Sequence, residues 1–146
     1  MANPQANKDI VRRLAEEPWS GSLAAIDELV SPDYIGYDPS QPQPSRGPAG
    51  VKEFTQQYLS AFPDGNVTVD EQIAEGDTVA TRWTGRGTHR GGLLGIPPTG
   101  KEVTVSGITI SRLKDGKVVE EWTIWDTLGM LQQLGAVEAP AAARAR

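Results

Sequence analysis

The chain has 146 residues, which suits one domain, and it has no run of about 18 apolar residues that could span a membrane. Hydrophobic residues make up 38% and charged residues 23%, a balance that excludes a wholly disordered chain and a membrane bundle. The 14 basic and 19 acidic residues give a net charge of -5, whereas nucleic-acid-binding proteins are basic. We therefore expect a small-molecule partner, and neither nucleic acid nor a membrane.

The sequence contains no cysteine and one histidine, His89. The lack of cysteine excludes disulfides, thiolate nucleophiles and cysteine-ligated metals, and a zinc site built from one imidazole and carboxylates would be unusual. We therefore expect a mechanism that uses no metal. The first residues lack the basic and apolar stretches of a secretion signal, so we also expect a cytoplasmic protein.

Helical spacing of apolar residues dominates the first half of the chain. It predicts three helices and one short strand, in the order helix 7–17, helix 23–30, strand 34–37 and helix 48–62. The first helix is expected to be capped by Asn7. Prolines from Pro39 to Pro48 cannot donate to a sheet, so the segment after the strand is predicted to be a surface loop.

Runs of β-branched residues and turns dominate the second half of the chain. They predict four strands and a terminal helix, namely strands 66–74, 78–88, 101–114 and 117–126 and a helix over 127–134. Glu75-Gly76-Asp77 and Asp115-Gly116 predict hairpins, the latter with a type I′ turn, so the sheet should be antiparallel. A sheet that buries one face against helices makes an α+β domain, which we expect over 1–135, followed by a disordered tail over 136–146.

The last hairpin offers a candidate general base. If Asp115-Gly116 is a two-residue turn, the register places Asp126 opposite Val105. Trp122, opposite Thr109, shares this face, so the Asp126 carboxylate should be poorly solvated and its pKa raised toward values useful to a base. The other interpretation is that Asp126 caps the terminal helix, and spacing alone favours the cap.

Both faces of this hairpin carry large apolar residues. The same register turns Glu121 to the opposite face, together with a group of mostly apolar residues: Ile108, Ile110, Thr123 and Trp125. A domain this small has one core, so we expect this second face to be the contact of a two-fold homodimer.

His89 ends the second long strand, next to the glycine- and proline-rich segment Arg90 to Gly100, which predicts a loop. A histidine at such a position is either an ordinary hydrogen-bonded residue or a functional group beside a pocket. The sequence leaves both interpretations open.

Three long motifs in the second half of the chain are specific. They are the runs Gly87 to Gly100, Asp115 to Trp122, and Asp126 to Gly135. With Phe62-Pro63-Asp64 and Ala74-Glu75-Gly76-Asp77, they closely resemble the SnoaL-like polyketide cyclase or ester cyclase family. The similarity extends from about residue 8 to residue 135.

The resemblance implies the cone-shaped α+β barrel of nuclear transport factor two, in which a strongly curved, mostly antiparallel sheet wraps around N-terminal helices and encloses an apolar cavity. It also implies a cofactor-independent enzyme. In such cyclases an aspartate at the end of the late strand removes a proton from a polyketide ester, and the carbanion closes a ring by aldol attack. The matching residue is Asp126, and His89 would then donate a hydrogen bond to the enolate or alkoxide oxygen.

The candidate substrate-binding residues are aromatic: Tyr37, Tyr58, Trp83 and Trp122. Each of them also fits a role in core packing. The expected ligand is a small apolar or aromatic-like molecule with carbonyl groups. The alternatives are an isomerase, dehydratase or epoxide hydrolase that uses Asp126 on the same fold, and a non-catalytic small-molecule-binding domain.

Overall fold

Helices and strands follow each other in the predicted order. The computed structural model describes residues 3–138, and its elements are α1 Pro4–Glu16, a 3₁₀ turn Glu17–Ser20, α2 Ala24–Leu29, β1 Val30–Tyr37, β2 Ser45–Arg46, α3 Gly47–Ala61, β3 Asn66–Glu75, β4 Thr78–Thr88, β5 Glu102–Lys114, β6 Lys117–Trp125 and α4 Thr127–Gln133. Asn3, and not Asn7, caps α1, because its side chain accepts a hydrogen bond from the Ala6 amide at 3.0 Å. The short strand β2 lies within the segment that the prolines predicted to be a loop.

The six strands form one open sheet in the order β2-β1-β6-β5-β4-β3. Neighbouring strands are antiparallel except β1 and β6, which run parallel. Helix α1 packs against β3 and β4, and α3 packs against β1, so the helices cover one face of the sheet. The α+β class is therefore confirmed. The sheet has edges at β2 and β3 and is not closed into a barrel, which is consistent with a cone.

The β5–β6 hairpin contains one residue more than the predicted register allows. Asp115 and Gly116 both have positive φ, at 52° and 77°, as a type I′ turn requires. The pairing begins as predicted, but after Leu113 and Val118 it shifts, so that Arg112 pairs with Glu120 and Val119 is extra. A bulge of this kind turns every later side chain to the other face. The predicted register is wrong beyond the second pair.

The new register changes the composition of the two faces. Thr109 now pairs with Thr123, and both line the inner side of the sheet. The outer side carries a group of exposed apolar residues, which we call the outer patch: Ile108 (51% exposed), Ile110 (41%), Trp122 (39%) and Ile124 (65%). The prediction that Ile108, Ile110, Thr123 and Trp125 share one face is therefore wrong, since Ile108 and Ile110 lie in the outer patch but Thr123 and Trp125 line the cavity.

Two groups of buried side chains hold the layers together. The first joins α1 and α2 to the hairpin ends of β4, β5 and β6, and includes Val11, Ile26, Val79 and Val118. The second joins α3 and α4 to the segment after β4, and its members include Phe62, Leu93, Val103 and Met130. Residues of both groups border the cavity described below.

The predicted tail begins within the described residues, but from residue 139 onward it lies outside them, so the tail and the domain limits stay predictions. None of the helices in residues 3–138 has the length and apolar character that crossing a bilayer requires.

The homodimer also stays a prediction, and the outer patch makes it testable. We expect the protein to be a dimer at micromolar concentration and Ile124→Glu to make it monomeric, because a carboxylate in the patch would have to lose its water on association. Light scattering after size exclusion measures the mass. The control is Leu128→Glu, an equally apolar and exposed site on α4 outside the patch. A monomeric parent protein would contradict the prediction.

Candidate active site

A cavity of about 230 Å³ lies between the inner face of the sheet and helices α1 and α3. Its wall is mostly apolar and strongly aromatic, with contributions from Trp19, Phe54, Tyr58, Phe62, Trp83 and Trp125. Polar side chains interrupt this apolar wall, and the charged ones are the carboxylates of Glu121 and Asp38 and the guanidinium of Arg86. A concave apolar pocket with a few converging polar groups is the usual form of a small-molecule site.

Glu121 brings a buried carboxyl group into this cavity. The residue as a whole is half-buried, and the carboxyl group is its enclosed end. Tyr34 donates its hydroxyl hydrogen to Oε1 at 3.0 Å, and the Ser111 hydroxyl donates to Oε2. Burial raises the pKa of Glu121, and the two hydrogen bonds offset only part of that rise. Two of about four lone-pair directions on the carboxylate are therefore occupied, which leaves others for a substrate proton.

Local sequence explains how three strands bring the Tyr34 and Ser111 hydroxyls to the Glu121 carboxylate. Ser111 on β5 pairs directly with Glu121 on β6 because of the bulge, and Gly36 on β1 pairs with Glu121 from the other side. A Cβ atom at Gly36 would collide with the Tyr34 hydroxyl. Glycine at this position therefore lets the Tyr34 ring lie across its own strand and reach the carboxylate.

Asp38 supplies the second carboxylate, at the end of β1. Its Oδ2 accepts a hydrogen bond from Trp125 Nε1 at 3.0 Å. Its Oδ1 accepts from the amide and the hydroxyl of Ser40, at 2.8 and 2.7 Å. Asp38 is half-buried and borders the cavity. These three donors fix the carboxylate in place and connect the proline-rich segment to the cavity wall.

Of the four predicted aromatic residues, Tyr58 and Trp83 line the cavity, and Tyr37 borders it while its ring stacks on a tryptophan of the outer face. Trp83 donates its indole N–H to Thr109 Oγ1 at 3.0 Å. Trp122 is the exception and corrects the prediction, because the bulge turns it to the outer face. There its ring stacks on Tyr37 with centroids 5.4 Å apart, and the Arg112 guanidinium lies 5.2 Å from its ring centroid.

Asp126 does not face the cavity, so the expected burial of its carboxylate is wrong. Asp126 is exposed and is the N-cap of α4, accepting a hydrogen bond from the Gly129 amide at 2.9 Å. The bulge is the physical reason, because it removes Asp126 from the apolar face that the predicted register gave it. Asp126 therefore caps the terminal helix, as the alternative interpretation of the sequence predicted.

His89 does not line the cavity either. It is completely buried, and its Nδ1 accepts a hydrogen bond from the Thr99 amide at 3.1 Å. Phe62, which does line the cavity, packs on the imidazole with ring centroids 5.5 Å apart. The predicted pairing of His89 with Asp126 across one cavity is therefore wrong. His89 instead holds the two ends of the Gly- and Pro-rich segment together, with backbone hydrogen bonds to Gly100 and Lys101.

Sequence reasoning missed Tyr34, Asp38, Ser111 and Glu121 as site residues. The available signal was the pair Glu120-Glu121, two adjacent acids on one strand, of which one had to face inward. Only the bulge decides which one, and the consecutive valines Val118 and Val119 gave no indication of it. The aromatic wall, in contrast, was partly predictable from residue type alone.

The comparisons with known proteins agree with this architecture. The chain belongs to the SnoaL-like polyketide cyclase family, whose pattern matches residues 8–134.

Its relatives include enzymes of Streptomyces. The chain is 28% identical to aklanonic acid methyl ester cyclase DnrD of Streptomyces peucetius over 129 residues, which cover 87% of this chain and 89% of that one. It is 26% identical to the nogalonic acid methyl ester cyclase of Streptomyces nogalater over 117 residues, covering 80% and 87%. Among solved structures, IdmH from Streptomyces antibioticus is 37% identical with a TM-score of 0.77, and covers 88% of this chain and 98% of its own. A SnoaL-like protein from Jannaschia sp. CCS1 is 28% identical with a TM-score of 0.83, covering 92% and 94%.

The N-cap role of Asp126 predicts how its substitution changes the stability of the protein. Asp126→Ala should lower the free energy of unfolding by about 1 kcal/mol, because the amide of Gly129 loses its acceptor. Asp126→Asn should lower it much less, since asparagine is an equally good N-cap. Urea unfolding of the three proteins measures the difference. Equal losses for both variants would show that the cap is not what Asp126 contributes.

The raised pKa of Glu121 predicts how the stability of the protein depends on pH. The ionised carboxylate is disfavoured in the folded protein, so its cost to stability is absent below the unfolded-state pKa and grows as the pH rises toward the folded-state pKa. Glu121→Gln should therefore be more thermally stable than the parent near pH 7.5, and this gain should shrink near pH 4. Glu120→Gln, at the neighbouring carboxylate that pairs with Arg112, is the control. A gain for Glu121→Gln that is larger at pH 4 would contradict the prediction.

Proposed function

We propose that this protein is a cofactor-independent cyclase in which Glu121 is the general base. In this proposal the Glu121 carboxylate removes a proton from a carbon flanked by carbonyl groups in a polyketide ester. The carbanion then closes a ring by intramolecular aldol addition. The observation that carries the proposal is the buried, hydrogen-bonded carboxylate inside an apolar, aromatic cavity.

The surroundings of Glu121 suit a base for carbon acids. A proton between two carbonyls is already acidic, so a carboxylate whose pKa is raised by burial is a sufficient base at neutral pH. Tyr34 and Ser111 each donate to one oxygen and so hold the carboxylate in one orientation. Since an orientation error of 1 Å is costly in catalysis, both are expected to act as positioning residues.

The proposed reaction balances without an oxidant or a reductant. The C–H bond of the carbon acid breaks and its proton goes to Glu121. The resulting carbanion forms a C–C bond to a ketone carbon of the same molecule, and the ketone oxygen becomes an alkoxide. That oxygen then receives a proton, and Glu121 returns to its ionised form, so that the product is an isomer of the substrate.

Family membership and the named relatives support the substrate class. Two relatives are named as methyl ester cyclases of aklanonic and nogalonic acids. The cavity wall is built from flat aromatic rings, which suits a fused-ring polyketide ester. The same cavity would also suit four alternatives: an isomerase, a dehydratase, an epoxide hydrolase or a non-catalytic binding protein. The test below includes results that would favour such alternatives.

The test compares two carboxylates. Aklanonic acid methyl ester and nogalonic acid methyl ester are incubated with the protein, and cyclised product is measured by chromatography and mass spectrometry. Deuterium uptake from heavy water reports proton removal without ring closure. Glu121→Gln keeps the shape and removes the base, so turnover should fall by at least about 100-fold. Asp126→Asn, with its cap retained, should stay close to the parent.

The reverse result would contradict the proposal. Full turnover by Glu121→Gln together with loss in a folded Asp126→Asn would return the base to Asp126. Deuterium uptake without cyclisation would favour an isomerase. Tight binding of the esters with neither reaction would favour a binding protein.

A further inference from the structure

The hydroxyl group of Tyr58 is a hydrogen-bond donor without a partner, buried at the cavity. Tyr58 is 6% exposed, and among residues 3–138 its oxygen makes no hydrogen bond, although the Ser40 hydroxyl, which donates to Asp38, lies close to it. A buried polar group that bonds to nothing destabilises the fold, so its retention requires an explanation. In the described part of the chain the other buried side-chain atom without a partner is His89 Nε2, and His89 does not border the cavity.

Aromatic contacts fix the position of this hydroxyl. The Tyr58 ring on α3 lies 4.9 Å from the Phe54 ring and meets the Trp125 ring edge-on at 5.8 Å, centroid to centroid. Both neighbours border the cavity. The ring is therefore held from two sides, and the hydroxyl stays inside the protein, where it has no access to bulk water.

The charge near Tyr58 determines what it can bind. Burial and the negative charge of Asp38 raise the pKa of Tyr58 to about 12, so the phenol keeps its proton at neutral pH. Asp38 itself already accepts hydrogen bonds from Trp125 and Ser40. An anionic group of a ligand at this position would be repelled by Asp38. The matching ligand atom is therefore a neutral acceptor.

We propose that the Tyr58 hydroxyl donates a hydrogen bond to a carbonyl oxygen of the ligand and thereby selects a neutral ketone or ester at this end of the cavity. The inference rests on the proposed function for the kind of ligand, a carbonyl compound, but not on Glu121 as the base. Glu121 and Trp125, against which Tyr58 packs, are four residues apart on β6, roughly 13 Å along the strand. The donor and the base thus contact separate parts of one ligand.

The experiment uses a pair of flat neutral probes that differ by a carbonyl group, 9-fluorenone and fluorene. Because 9-fluorenone has no proton on the carbons next to its carbonyl, its binding requires no base. Quenching of tryptophan fluorescence gives the Kd of each probe. The infrared carbonyl stretch of bound, isotope-labelled 9-fluorenone reports directly whether the oxygen accepts a hydrogen bond.

The parent protein should bind 9-fluorenone about tenfold more tightly than fluorene, as one well-made hydrogen bond allows. Its bound carbonyl stretch should lie at a lower frequency than in an apolar solvent. Tyr58→Phe should bind both probes equally and return the stretch to the apolar position. Tyr34→Phe is the matched control, because that hydroxyl already donates to Glu121, and it should keep both the preference and the shift.

A preference and shift that survive in Tyr58→Phe would overturn the inference. So would an unshifted carbonyl, an absent preference or no binding of 9-fluorenone in the parent. Glu121→Gln separates this result from the proposed function. If that variant keeps both ester turnover and the carbonyl shift, the assignment of the base fails and the Tyr58 subsite stands. If Glu121→Gln loses turnover while 9-fluorenone bound to the parent protein shows no shift of its carbonyl stretch, the base stands and the subsite fails.

Discussion

The single extra residue in the last hairpin determines which side chains face the cavity. Val119 has no partner in β5, and every residue that follows it in β6 is turned over relative to a regular hairpin. Glu121 and Trp125 therefore face inward, while Trp122 faces outward. In a regular hairpin Glu120 and Trp122 would face the cavity in place of Glu121 and Trp125. Both the volume of the cavity and the identity of its carboxylate therefore depend on this bulge.

The cavity wall is charged as well as apolar. Two carboxylates contribute to its wall, and each carries bound donors: Tyr34 and Ser111 for Glu121, Trp125 and Ser40 for Asp38. The hydroxyl and indole donors keep these two charges in fixed positions, and Arg86 adds a positive charge to the wall. Burial, together with the charge of the nearby carboxylates, raises the pKa values of Tyr34 and Tyr58 and keeps both phenols protonated.

Most of the fold was predictable, because element boundaries depend on local patterns. The apolar spacing of α3 and the Asp115-Gly116 turn led directly to the observed elements. The register of β6 was not predictable, since a bulge is decided by which residue the core accepts, and Val118 is completely buried in the first core group. For Asp126, the local capping signal was correct about geometry, whereas the predicted hairpin register led to a buried position that the structure does not have.

The parallel pairing of β1 with β6 has a consequence for how the protein is made. Tyr34 meets Glu121 across 87 positions of sequence, and the first core group joins Val11 to Val118. Contacts between such distant parts of a chain slow folding, because a long loop must close before they form. On the ribosome, β1 emerges long before its partner strand exists. The edge of β1 that pairs with β6 therefore stays open until nearly the whole chain has been synthesised. During this period chaperones can protect that edge from mispairing.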